Sequence, residues 1–143
     1  MAAVSEPSLT RMLLAAFRAL DAEVAAALQD RGVADLRPGE ATAILLIDRT
    51  GTRLSSLAER AEISKQAMMQ VVDDLESSGL VRRTPDPGDA RAKVVKLTAK
   101  GLRHRAEARR AVGGVEARVR RRLGDRRYEG LRAALAELAA GEE

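Results

Sequence analysis

Two short helical periods separated by three residues, and followed at once by a change of period, constrain this chain more than any other feature of it. Leu57, Ala58 and Ala61 recur at helical spacing, Glu62, Ile63 and Ser64 interrupt, and Met68, Val71, Val72 and Leu75 resume the period up to Gly79. Apolar residues three and four apart share one helix face, so each run predicts a helix with a single buried stripe. Ser56, with Glu59 three residues later, suits a capping box opening the first helix, and Ser55 competes for the role. Ser64 suits the cap of the second, and Gly79 the left-handed turn that ends it. Beyond Gly79, Leu80 to Thr84 reads as a strand, Pro85 to Ala90 as a turn-rich loop and Ala92 to Leu97 as a returning strand. Two helices joined in this way are a helix-turn-helix, and the hairpin beside them is a wing.

The flanking segments are helical. Leu9, Leu13, Ala16, Phe17, Leu20, Val24 and Leu28 predict an amphipathic helix ending near Gly32. Pro38 suits the first position of another, with Glu40 near the positive end of its dipole, Ile44, Leu45 and Ile47 on its buried face, and Gly51 closing it. Thr98 caps a long helix running toward Leu123, in which Gly113 and Gly114 form a weak point. Asp125 caps a last helix carrying Tyr128, Leu131, Leu135 and Leu138. A chain of 143 residues suits one domain, and with Phe17 and Tyr128 its only large rings, its core is aliphatic. The expected fold is mainly α with a small β-hairpin wing.

Composition narrows the chemistry. Cysteine is absent and His104 is the sole histidine, so thiolate and imidazole metal sites, disulfides and thiol redox chemistry have no residues to use. No glycine-rich phosphate loop or paired-carboxylate motif stands out, so neither an enzyme nor a cofactor is expected. The stretch from Arg11 to Leu20 imitates a signal peptide but is short and set among charges at Glu6, Arg18 and Asp21, and no run approaches the roughly 20 apolar residues of a membrane span. A cytoplasmic location away from membranes is expected. The net charge of +4 is modest, but Arg82, Arg83, Arg91, Lys93 and Lys96 crowd one segment, which points to a polyanionic partner. Arg118, Arg120, Arg121 and Arg122 read as the solvated face of a helix.

Leu57-Ala58-Glu59-Arg60, Ile63-Ser64-Lys65-Gln66, Asp73-Asp74-Leu75-Glu76, Gly79-Leu80-Val81-Arg82-Arg83, Pro85-Asp86-Pro87, Asp89-Ala90-Arg91 and Leu97-Thr98 with Gly101 stand in an order and spacing that resembles the MarR family of winged helix-turn-helix transcriptional regulators. The resemblance covers residues 54 to 101. It implies a homodimer that binds double-stranded DNA, in which residues 1–34 and 98–143 supply dimerisation helices and residues 35–97 the winged DNA-binding core. It also implies a repressor released by a small lipophilic or phenolic effector held between the winged motif and the dimer helices. The apolar stripes of the first and last two helices independently call for a partner to cover them; packing within their own subunit is the alternative.

On the recognition helix, Lys65, Gln66, Met69, Gln70 and Asp73 lie opposite the apolar stripe. Gln66 and Gln70 can both donate to and accept from an adenine edge, and Met69 suits a thymine methyl or, more plainly, packing. Ser64 and Lys65, at the helix N-terminus, suit a phosphate. Asp73 and Asp74 are expected near the exit end as a solvated acidic patch. On the wing, Asp89 and Arg91 project to one side, so the carboxylate can orient the guanidinium for a narrow minor groove; an ion pair internal to the hairpin is the competing reading. Lys93, with Arg82 or Arg83, adds phosphate contacts. Dimer symmetry predicts a pseudopalindromic operator with half-sites about 34 Å apart. The rival function is a winged helix that binds another protein, since one fold hosts both uses.

Overall fold

The structure is a computed structural model and describes residues 6–33 and 35–141. The elements run α1 (Leu9–Asp30), α2 (Pro38–Leu46), β1 (Thr52–Arg53), α3 (Leu54–Ala61), α4 (Lys65–Ser77), β2 (Val81–Asp86), β3 (Asp89–Leu97), α5 (Ala99–Leu123) and α6 (Asp125–Ala140). The antiparallel sheet has the order β1-β3-β2, with Thr52 opposite Val95 and Val81 opposite Leu97.

The helix-turn-helix forms as expected. Ser64 Oγ accepts the Ala67 amide at 3.0 Å and opens α4. At the other end the Leu80 amide donates to the Leu75 carbonyl and the Gly79 amide to that of Glu76, with Gly79 at φ +75°, a Schellman closure. Helix α3 ends in the same hydrogen-bond pattern, from Ile63 to Ala58 and from Glu62 to Glu59, but the left-handed residue is Glu62 at φ 55°. A side chain there costs on the order of 1 kcal/mol relative to glycine. Glu62→Gly is therefore expected to raise the unfolding free energy by up to about 1 kcal/mol, read from denaturant midpoints; a lower midpoint would show that the Glu62 side chain matters more than its backbone.

Several local readings are corrected. Helix α3 begins at Leu54 with Arg53 as its N-cap and no side-chain cap, so the Ser56–Glu59 capping box does not form. The chain reaches α3 directly from β1, which leaves both serines inside the first turn. Helix α2 ends at Leu46 with Ile47 extended, and Gly51 (φ +97°) instead lies in the turn before β1. There the Ile47 and Leu46 carbonyls accept from Arg105 (3.1 Å) and Arg60 (3.0 Å), tying α2 to α5 and α3. The wing strands run almost to the hairpin tip, leaving Pro87 and Gly88 as the turn where a loop from Pro85 to Ala90 was expected. Pro85 is tolerated because β2 is an edge strand. Helix α5 continues unbroken through Gly113 and Gly114. Gly124, not Asp125, caps α6, and the Asp125 carboxylate accepts from Arg120 at 2.7 Å.

One core unites the winged segment with α5. Leu28, Leu36, Ile44, Leu57, Met68, Val72, Leu75, Leu80 and Val95 are fully buried, and Ala108 and Ala111 are the small residues by which α5 approaches them. Each large apolar side chain so buried contributes about 1.5–3 kcal/mol. Residues 9–20 of α1 are exposed throughout, and on α6 only Tyr128 is buried. Among the described residues no helix is long and apolar enough to cross a membrane.

Candidate nucleic-acid interface

Helix α4 divides as its period requires. Met68, Val72 and Leu75 are buried and Val71 half-buried, while Ser64, Lys65, Gln66, Met69, Gln70 and Asp73 are exposed. Met69 is 44% exposed and lies outside the hydrophobic core of its own subunit. Gln66 has no hydrogen-bond partner among the described residues, whereas Gln70 Nε2 donates to Asp74 Oδ1 at 3.1 Å.

The acidic residues of α4 are not the solvated patch expected. Arg83 of β2 pairs with Asp73 at 2.6 Å and Glu76 at 2.9 Å, and Arg37 reaches Asp74 at 2.5 Å. Partial burial works against the Arg83 charge, but the two carboxylates outweigh it and leave the guanidinium more basic than usual. Arg37 is likewise raised, first by its hydrogen bond to Glu40 and then by Asp74. Arg83 thus neutralises the helix instead of standing ready for a phosphate; Arg82 is exposed and outside any ion pair among the described residues.

The wing tip is held by two aspartates. Asp86 accepts the Gly88 amide at 2.8 Å and Arg53 Nε at 2.6 Å, and these contacts, the amide first, pull its pKa below the usual carboxylate value. Asp89 accepts the backbone amide of Arg91 at 3.0 Å. The expected carboxylate–guanidinium pair between Asp89 and Arg91 is absent: two residues apart around the tip, the short aspartate reaches the nearer main-chain donor. The consequence favours ligand binding, because among the described residues Lys65, Arg91 and Lys93 make no ion pair at all.

These cations meet. A cleft of about 380 Å³ between the starts of α3 and α4 and the wing is lined by Arg53, Lys65, Met69, Arg83, Arg91 and Lys93, among others. Of the residues singled out in the sequence, Lys65, Met69, Arg83, Arg91 and Lys93 converge there; Ser64, Gln66 and Gln70 continue the exposed face of α4 outside it, and Asp89 stays at the wing tip. Arg53 was missed, because a strand of two residues has no period to detect; its value lies in reaching Asp86 across the sheet.

An exposed helix whose acids are internally neutralised, set beside a hairpin whose Arg91 and Lys93 make no ion pair among the described residues, is a winged helix-turn-helix arrangement. Residues 34–92 match the sequence model of the MarR family. Transcriptional regulator HosA of Escherichia coli O111:H- is 35% identical over 65 residues, 46% of this chain and 48% of that protein, so the match spans about half the length of the curated relative. The likeness to solved structures extends over the whole chain. CouR of Rhodococcus jostii RHA1 bound to p-coumaroyl-CoA superposes with a TM-score of 0.82 at 26% identity, covering 100% of this chain and 99% of that one. The transcriptional repressor CouR bound to a 23-mer DNA duplex gives 0.81 at 26% identity over 92% of each chain. The chain thus resembles the MarR family over its winged segment and shares the fold of CouR along its length.

Proposed function

We propose that this protein is a transcriptional repressor that binds a pseudopalindromic operator as a homodimer and is released by a small molecule. The observation that carries this is the convergence on one cleft, beside the exposed face of α4, of Lys65, Arg91 and Lys93, which make no ion pair among the described residues. An acidic surface there would have favoured the rival reading of a protein-binding winged helix; the α4 acids are instead held by Arg37 and Arg83. Ser64 and Lys65 position a phosphate at the helix N-terminus, Gln66, Met69 and Gln70 face base edges in the major groove, and Arg91, its backbone fixed by Asp89, enters the minor groove with Lys93 on the adjoining phosphate. CouR, whose fold this chain shares, has been captured on DNA. The protein works as one domain in the cytoplasm: residues 35–97 form the winged core, and residues 1–34 and 98–143 pair the subunits.

The dimer reading rests on apolar surface. Leu9, Met12, Leu14 and Phe17 of α1 and Leu131, Leu135 and Leu138 of α6 are each at least 40% exposed. Leucines in such numbers on two helices call for a partner surface. The effector reading rests on a cleft of about 200 Å³ where Phe17, Leu20, Asp21 and Val24 of α1 face Pro38 and Thr42 of α2 and Val112 of α5. It joins the dimer helices to the winged core, so a lipophilic or phenolic ligand that prefers one spacing of the two would shift DNA affinity. CouR carries p-coumaroyl-CoA, whose p-coumaroyl end is phenolic.

Binding to random duplex DNA that weakens steeply with salt, and to selected operators more tightly, tests the function; indifference to DNA at low salt would leave the protein-binding alternative. Arg91→Ala should weaken binding about tenfold on all sequences, while Gln66→Ala should change base preference at one position per half-site. Indistinguishable effects of the two across a randomised operator library would refute that division. Release is tested by operator gel shifts against phenolic and other lipophilic ligands; a ligand that binds the protein without loosening the complex would count against it.

A further inference from the structure

Gln66 and Gln70 are alike in sequence but not in structure, and the difference has a chemical consequence. The Gln66 amide is unpartnered among the described residues and can turn either end to a base. The Gln70 amide is held by Asp74, whose Oδ1 accepts from Gln70 Nε2 at 3.1 Å. An ionised carboxylate offers only acceptors, so the amide nitrogen must face Asp74 and the Gln70 carbonyl oxygen must point away from it. Asp74 itself is anchored: its other oxygen accepts from Arg37 Nη2, and Arg37 in turn is fixed through Nε (3.0 Å), Nη2 (2.6 Å) and its backbone amide (3.0 Å) to Glu40, which is only 7% exposed. The orientation of Gln70 is thus set from a buried carboxylate on α2.

We propose that Asp74 is a specificity-determining positioning residue that presents Gln70 to the major groove carbonyl first. An acceptor aimed at a base edge is satisfied by the amino group of adenine or cytosine and opposed by the acceptors of guanine and thymine. Gln70 therefore selects an amino-bearing base at one position per half-site, while Gln66 keeps the freedom of an unheld amide. The inference rests on the DNA-binding reading above.

Selection of duplexes from a randomised library by the full-length wild type, Gln70→Ala, Asp74→Asn and Asp74→Glu tests it. In Asp74→Asn the new amide can donate to the Gln70 carbonyl, which lets Gln70 turn. The wild type should favour adenine or cytosine over guanine or thymine on the order of tenfold at one position. Gln70→Ala and Asp74→Asn should erase that preference, Asp74→Glu should keep it, and the Gln66 position should be the same in all four. Removing a negative charge also raises affinity for every sequence, but that uniform gain leaves the ratio between bases unchanged. A preference intact in Asp74→Asn, or one for guanine or thymine in the wild type, overturns the inference while leaving DNA binding in place. Failure of the wild type to bind any duplex overturns both.

Discussion

Leu135→Glu will leave a chain that sediments as a monomer at micromolar concentration and binds its operator on the order of a hundredfold or more weakly than the wild type. Leu135 lies on α6 with 40% of its surface exposed, in line with Leu131 and Leu138, and little of this helix beyond Tyr128 is buried in its own subunit. A carboxylate placed there costs the folded subunit little. Buried without a counter-charge between two subunits it is expensive, so association and not folding is the step that fails. In the proposed dimer, two winged motifs would bind a two-fold site with the second contact made intramolecular, and separating them would forfeit that gain. Sedimentation and operator titration of the same preparation check both halves. A Leu135→Glu protein that stays dimeric would show that α6 does not pair the subunits; one that is monomeric yet binds the operator undiminished would show that symmetry is not part of recognition.

The parts of this molecule legible in the sequence are those whose causes are local. Helix α4 could be bounded at both ends because Ser64 caps an amide three residues away and Gly79 supplies a turn the next residue closes. Its exposed face followed from the spacing of Met68, Val72 and Leu75 alone. What failed depended on distant partners. Strand β1 exists because Thr52 meets Val95, more than forty residues later, and its presence displaced the expected cap of α3. Asp73 and Asp74 looked like solvated acids because Arg83 and Arg37, which pair with them, sit on other elements. Asp89 and Arg91 do meet, but not as the expected ion pair: residue types could not say that the carboxylate would take the backbone amide and leave the guanidinium without an ion pair among the described residues. The candidate interface was therefore visible as a set of residues, and its electrostatics were not.

Gly101→Ala will destabilise the protein by about 1–3 kcal/mol, although alanine is the better helix former by about 1 kcal/mol. The reason is a backbone contact: a Cβ at position 101 would stand 1.9 Å from the Leu80 carbonyl oxygen. That oxygen already accepts the Thr98 amide at 3.0 Å, while Thr98 Oγ1 donates to the Gly79 carbonyl at 2.6 Å and accepts the Gly101 amide at 3.0 Å. The start of α5 is thus docked on the corner where α4 becomes β2, and neither side of the contact is a flexible side chain that could yield. Gly39→Ala on α2 is the matched control, since an added methyl there meets nothing within 4 Å, and it should be neutral or stabilising. Melting at equal chain concentration should place the Gly101→Ala midpoint about 3–10 °C below the wild type, and a midpoint at or above it would show that α5 can shift without cost. Because Leu97, paired with Val81, carries β3 into this corner, a displaced α5 also moves the wing relative to α4. Operator affinity of the folded Gly101→Ala protein should therefore fall together with its stability, which would not happen if the glycine served the helix alone.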